Sequence, residues 1–356
     1  MSERQEALHT PSDEHEDNRT TASIIEPSEL TGSLRPSISG QSVTVIAIFA
    51  LTLAMIFASR LVSPSFGGWS QIETVLYLGS FLVFCAFGQG LVILVRGLDL
   101  SIASVITLGG VLTTTLMNGS DSGLFYLIPV VLILCAFVGV ISGIGVAVFH
   151  IPPFIVTMAV GLIVYSLALG YTQGTPRGYP APALSAFMQA QYLGIPASVY
   201  LLLGFVVAGT ILQSYSSLGR RLNAVGNNPL AAYIAGLPSK SLIISAYAIS
   251  ALCAGFTGMM LAGYSNGATL RMGDAYLLPS IAAVVVGGSS ILGGKGSFLG
   301  TVGGALLLTT LAMILSALGI QQGWQTIIEG GVILLALVVL REQSMAALQM
   351  WFGRKK

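Results

Sequence analysis

The chain has 356 residues, 54% of them hydrophobic and only 8% charged, with a mean hydropathy of +0.84. Soluble domains carry roughly a quarter charged residues, which excludes a water-soluble enzyme fold. A net charge of +1 decides nothing about partners, but the chain offers no basic face for nucleic acid.

The charge that exists is segregated. Eight of the 14 acidic residues precede residue 30, whereas residues 42–340 hold eight basic and five acidic side chains. So few charges cannot clothe a globule in water; they suit a protein whose solvent is a lipid bilayer.

Residues 1–41 are rich in Ser, Thr, Glu, Asp and Pro and lack the apolar core of a signal peptide. They read as a disordered acidic tail, because they cannot bury enough surface to offset chain entropy. Apolar runs follow at 42–62, 72–95, 100–118, 124–149, 154–172, 197–215, 241–264, 277–292, 297–318 and 323–340. A helix needs about 20 apolar residues to cross the hydrocarbon layer, and backbone groups cannot go unpaired there. The expected fold is therefore an all-α, polytopic transmembrane helical bundle of about ten spans. Residues 341–356 form a short basic tail.

Ten spans place both termini on one side. With the N-terminus inside, the inner segments hold Arg4, Arg19, Arg35, Arg96, Arg220, Arg221, Lys240, Lys295, Arg341, Arg354, Lys355 and Lys356. The outer ones hold Arg60, Arg177 and Arg271. That bias predicts cytoplasmic termini, since basic and not acidic residues set orientation.

Cys85, Cys135 and Cys253 each sit inside an apolar run, and neither they nor His150 have metal-ligand spacing. No metal, cofactor or catalytic residue is expected.

The inner connection 216–240 carries the strongest local punctuation. Asn228 is a good helix cap, Pro229 suits the first helical position, and Gly236 and Pro238 end what begins there. The result is a short helix on the cytoplasmic face. Small residues at Ala231, Ala232 and Ala235 would let another protein approach. A plain linker or a surface helix fits the local pattern equally well.

Three blocks carry a family resemblance. The stretch from Gly219-Arg220-Arg221-Leu222 through Gly226-Asn227-Asn228-Pro229-Leu230-Ala231-Ala232 resembles the coupling loop of bacterial ABC importer permeases of the ribose/monosaccharide type. Arg96-Gly97-Leu98-Asp99-Leu100-Ser101-Ile102-Ala103-Ser104 resembles the same family's G-I-D-L-S-V-G-S segment. Gly287-Gly288-Ser289-Ser290-Ile291-Leu292-Gly293-Gly294-Lys295-Gly296-Ser297 resembles its third Gly-rich block. Leu98 stands where Ile is usual and Arg96 where Gly is common; these departures are expected to alter local packing.

The resemblance implies a permease subunit in the bacterial inner membrane. It would pair with a second permease subunit, as homo- or heterodimer, and receive a monosaccharide from an extracytoplasmic binding protein. A cytoplasmic ATPase subunit would engage the coupling residues Arg220, Arg221, Asn228, Pro229, Ala231 and Ala232. Gly293-Gly294-Lys295-Gly296-Ser297 does not supply ATP hydrolysis, because a phosphate loop requires G-x-x-x-x-G-K-[ST]. An autoinducer or nucleoside is an alternative cargo. An ion-coupled secondary transporter is a different class, and the few carboxylates near helix ends disfavour it.

Neutral hydrogen bonders suit a hydroxylated, uncharged solute, which nominates Gln89, Thr157, Tyr165, Thr257 and Asn266 for the pathway. Each has a packing alternative, since Ser and Thr can bond their own helix. Asp99 either pairs with Arg96, three residues earlier, or caps the helix at Leu100-Ser101; the cap is favoured. With Gly287 and Gly288 it marks a structural helix break. Breaks in both halves of a transporter point to a crossing site at the centre.

Overall fold

The computed structural model describes residues 40–61 and 67–340. The acidic tail, up to residue 39, and the basic tail 341–356 lie outside the described residues.

The described chain is almost wholly helical. In order it runs α1 (Gly40–Ala58), α2 (Trp69–Leu94), α3 (Ile102–Met117), α4 (Leu124–Ala147), α5 (Pro153–Thr172) and the short α6 (Pro182–Gln189). A two-residue hairpin, β1 (Gln191–Tyr192) and β2 (Ile195–Pro196), leads into α7 (Ala197–Thr210). A π-helical turn, Ile211–Tyr215, joins α7 to α8 (Ser217–Asn227). Then come α9 (Pro229–Ile234), α10 (Ser239–Ser265), α11 (Asp274–Val286), α12 (Phe298–Ala317) and α13 (Gln322–Leu340).

Seven stretches are long and apolar enough to cross a membrane: Val43–Leu61, α2, α4, α5, Ala197–Tyr215, α10 and α12. They divide by burial. The spans of α2, α12 and α10 are 78%, 67% and 61% buried, so they form the centre. The α4 and α5 spans are only 28% buried, yet their exposed faces carry Phe125, Ile133, Phe137, Met158, Leu162 and Leu167. Large apolar side chains left outside are what a lipid-facing shell requires. This is a multi-pass membrane protein.

Two apolar helices are too short for a full crossing. At 1.5 Å per residue, the 16 residues of α3 and 13 of α11 reach less than the ~30 Å of hydrocarbon. Irregular backbone extends them at one end, across residues 95–101 and 287–297. Such backbone survives at membrane depth only when protein covers it, and Asp99 and Ser101 are 1% and 0% exposed.

Lipid offers no hydrophobic drive for helix association, so close backbone approach must supply it. The crossing of α4 and α10 shows how: a Cβ built on Gly139 would fall 2.2 Å from the carbonyl oxygen of Tyr247. No larger residue fits there. An edge-to-face aromatic set, Phe84 with Phe205 and Phe256, and Phe87 with Phe205 and Phe298, ties α2 to α7, α10 and α12.

Candidate functional site

The connection 216–240 holds two helices where the sequence pointed to one. The first, α8, is amphipathic: Leu222 and Val225 are buried while Arg220 and Arg221 are exposed. Ser216 caps it, its hydroxyl accepting from Gly219 N–H at 3.1 Å. Arg220 donates to the carbonyl of Tyr215 at 2.7 Å and so closes the π-turn onto α8.

Asn228 then caps α9, with Oδ1 accepting from Ala231 N–H at 3.0 Å, and Pro229 occupies the first position. Gly236 follows the helix at φ +76°, where a side chain would be strained. On this six-residue helix the two small residues part company. Ala231 is exposed, but Ala232 is only 4% exposed and packs against the core. The outward face instead carries Leu230, Tyr233 and Ile234, which are 69%, 73% and 76% exposed. Their signal in the sequence was available: large apolar residues on a capped helix outside the spans.

At the end of α8 the three sequence blocks converge. Arg96 lies just past α2 in the left-handed region, at φ 65°. Its guanidinium donates through Nε to the carbonyl of Gly226 at 2.6 Å and through Nη2 to that of Asn227 at 2.7 Å. A cation on the last carbonyls of a helix also complements its dipole. Beside it, Gly294 N–H donates to Leu94 O at 2.9 Å. A Cβ on Gly226 would meet that same Leu94 oxygen at 1.9 Å and Gly294 N at 2.6 Å. Arg96 is therefore more than a packing variant, since it bolts α8 to α2.

Asp99 does not pair with Arg96. Its Oδ1 accepts from the Ser101 amide at 3.0 Å and from the Ser101 hydroxyl, while Oδ2 accepts from the Ser250 hydroxyl of α10 at 2.9 Å. It thus holds the start of α3 and fastens it to α10. The second break ends α11 at Gly287, whose backbone lies against Gly300 of α12, and continues through Gly288 at φ +84°. Arg96 and Gly294, one from each break, lie beside the end of α8, whereas Asp99 reaches Ser250, the twelfth of the 27 residues of α10.

The five pathway candidates do not share one surface. Thr157 sits on the first break, accepting from Leu100 N–H at 3.0 Å with its own proton directed to Pro153 or Leu98 carbonyls. Thr257 is buried and donates to Cys253 O at 2.9 Å, its own helix. Asn266 is at the opposite end of the bundle, capping α10 at φ 52° and accepting from the Ser185 hydroxyl at 3.3 Å. Tyr165 is half-buried on α5. Gln89 alone is both fully buried and, among the described residues, without a partner for either amide atom.

The end of the bundle opposite α8 is pinned by short contacts. Asp121 accepts from Ala183 N–H at the start of α6, at 2.8 Å. Arg271 and Asp274 pair at 2.6 Å in the open, and that bond raises the guanidinium's pKa further. Among the described residues no three His, Cys, Asp or Glu side chains converge as a metal site would need.

Residues 71–337 match the family model described as branched-chain amino acid transport system / permease component. The chain is 31% identical to the ribose import permease protein of Haemophilus influenzae over 295 residues, covering 82% of this chain and 91% of that one. The ribose import permease protein of Escherichia coli K12 is also 31% identical, over 82% and 92% of the two chains. The galactose/methyl galactoside import permease protein of Haemophilus influenzae is 28% identical, over 82% and 93%. No solved structure matches the chain.

Proposed function

Starting from a chain that belongs to the branched-chain amino acid transport system / permease component family, we propose that it is the membrane subunit of an ATP-driven importer of monosaccharides. The cargo reading is supported by the likeness, over 82% of this chain, to ribose and galactose import permeases. ATP hydrolysis belongs to a separate cytoplasmic ATPase subunit, and an extracytoplasmic binding protein delivers the sugar. A second permease subunit completes the path in the bacterial inner membrane.

In this reading α1, α2, α3, α4, α5, α7, α10, α11, α12 and α13 make ten crossings, with both termini cytoplasmic. Support comes from alternation between the two pinned ends of the bundle. Arg96, Arg220, Arg221, Lys240 and Lys295 fall at the α8 end, against Arg60, Arg177 and Arg271 at the other.

One observation carries the mechanism: α9 turns an apolar face outward while α8, joined to it at Asn228, is bolted to α2 by Arg96. The ATPase grips Leu230, Tyr233 and Ile234, with Ala231 allowing close approach and Arg220 and Arg221 at the rim. Its movement reaches α2 and the α11–α12 turn through one rigid joint. Side chains packed without slack transmit displacement because the interior resists compression.

The test is uptake by proteoliposomes holding the permease, ATPase subunit and binding protein. ATP-dependent entry of labelled ribose or galactose is expected. Uptake driven by an ion gradient without the ATPase would overturn the proposal.

A further inference from the structure

The end of the bundle opposite α8 holds a cleft of about 320 Å³, between the start of α2, the end of α6 with β1, and the end of α10. That volume is at the small end of the range for small-molecule sites. Glu73, Thr74, Gln189 and Gln191 supply its polar groups, and Tyr77 and Tyr264 its aromatic rings.

The floor is fixed in advance. The Tyr77 hydroxyl donates to Met188 O at 2.9 Å, which ties α6 to α2. Tyr77, Phe81 and Tyr264 pack with ring centroids 5.3 to 5.8 Å apart. A site whose rings are already held loses little entropy when it binds.

Glu73 is the unexplained member. It is half-buried and, among the described residues, has no hydrogen-bond or ion-pair partner. The dipole of α2 does not account for it, because that effect fades within the first turn and Glu73 is the fifth residue of a helix beginning at Trp69. Trp69 itself is 62% exposed, as an aromatic at the membrane interface is. The carboxylate lies one turn along α2 from that ring.

We propose that this cleft is an entry subsite for a neutral, polyhydroxylated ring, the sugar on its way from the binding protein into the permease. The carboxylate accepts from vicinal hydroxyls, the two amides both donate and accept, and the tyrosine rings cover the apolar face of the sugar. A zwitterionic solute is a poorer fit, since its own carboxylate would meet no cation: the lining holds none. The assignment rests on the sugar-importer reading, and its test separates the two.

Saturation-transfer NMR on the full chain in nanodiscs, with ribose, galactose and leucine as probes, measures binding without the other subunits. Uptake by the complete assembly is recorded in parallel. Wild type gives a saturable signal for a sugar and none for leucine. Glu73→Gln, nearly isosteric, weakens sugar binding about tenfold, the worth of a charge-assisted hydrogen bond. Gln191→Ala weakens it as well, while Glu329→Gln leaves it unchanged. Equal signals from wild type, Glu73→Gln and Gln191→Ala, or no sugar signal at all, would overturn the subsite even if ATP-driven uptake proceeds. Absence of ATP-driven sugar uptake by wild type would instead strike the functional reading.

Discussion

Arg96 reaches across 130 residues of sequence to place its Nε 2.6 Å from the carbonyl oxygen of Gly226. One side chain thereby joins the end of α2 to the end of the helix preceding α9. Arg96→Gly removes this joint without straining the backbone, because glycine tolerates φ 65°. Uptake is expected to fall at least about tenfold with insertion intact. The guanidinium is largely exposed, so its two bonds are worth only about 1 kcal/mol of stability. Vesicle uptake beside a thermal melt checks both; an unchanged uptake rate removes the joint from the mechanism.

Asp99 tests the first break. Asp99→Ala orphans the Ser101 amide and the Ser250 hydroxyl, both buried. Unsatisfied buried groups cost about 1–3 kcal/mol each, so a clear loss in melting temperature is expected in detergent. Asp99→Asn keeps an acceptor for Ser101 and a donor for the Ser250 oxygen, and should lose less than half as much.

Gly226 admits no side chain. Gly226→Ala sets a methyl against Leu94 O and Gly294 N, both backbone atoms, so the Leu94–Gly294 hydrogen bond must break. Gly204, in the interior of α7, meets nothing within 4 Å. Gly204→Ala is expected to be neutral or to stabilise by about 0.5–1 kcal/mol. Yield of monodisperse protein separates the two variants.

Ala231 and Ala232 are neighbours with opposite consequences. Ala231→Trp, on the open face of α9, is expected to abolish co-purification with the ATPase subunit while leaving the melt unchanged. Ala232→Trp overfills a packed position and is expected to destabilise by about 1–3 kcal/mol. Tyr233→Asp should behave like Ala231→Trp. If Ala231→Trp still co-purifies normally, α9 is not the docking element.

That the protein lives in lipid, and nearly where each long helix runs, was legible from composition and apolar run length. Apolar length and the scarcity of charge are one-dimensional quantities, and the bilayer reads them directly. The cap at Asn228-Pro229 was equally local. Tertiary structure alone decided partnership. Arg96 and Asp99, three residues apart, would meet across a helical turn, but the left-handed backbone at Arg96 sends one to α8 and the other to α10. Likewise, the polar residues Thr157 and Asn266 suited one pathway by chemistry, yet the fold sets them at opposite ends of the bundle. Side-chain direction depends on how helices cross, and the crossings are set by contacts such as Gly139 against Tyr247, whose members lie on separate spans.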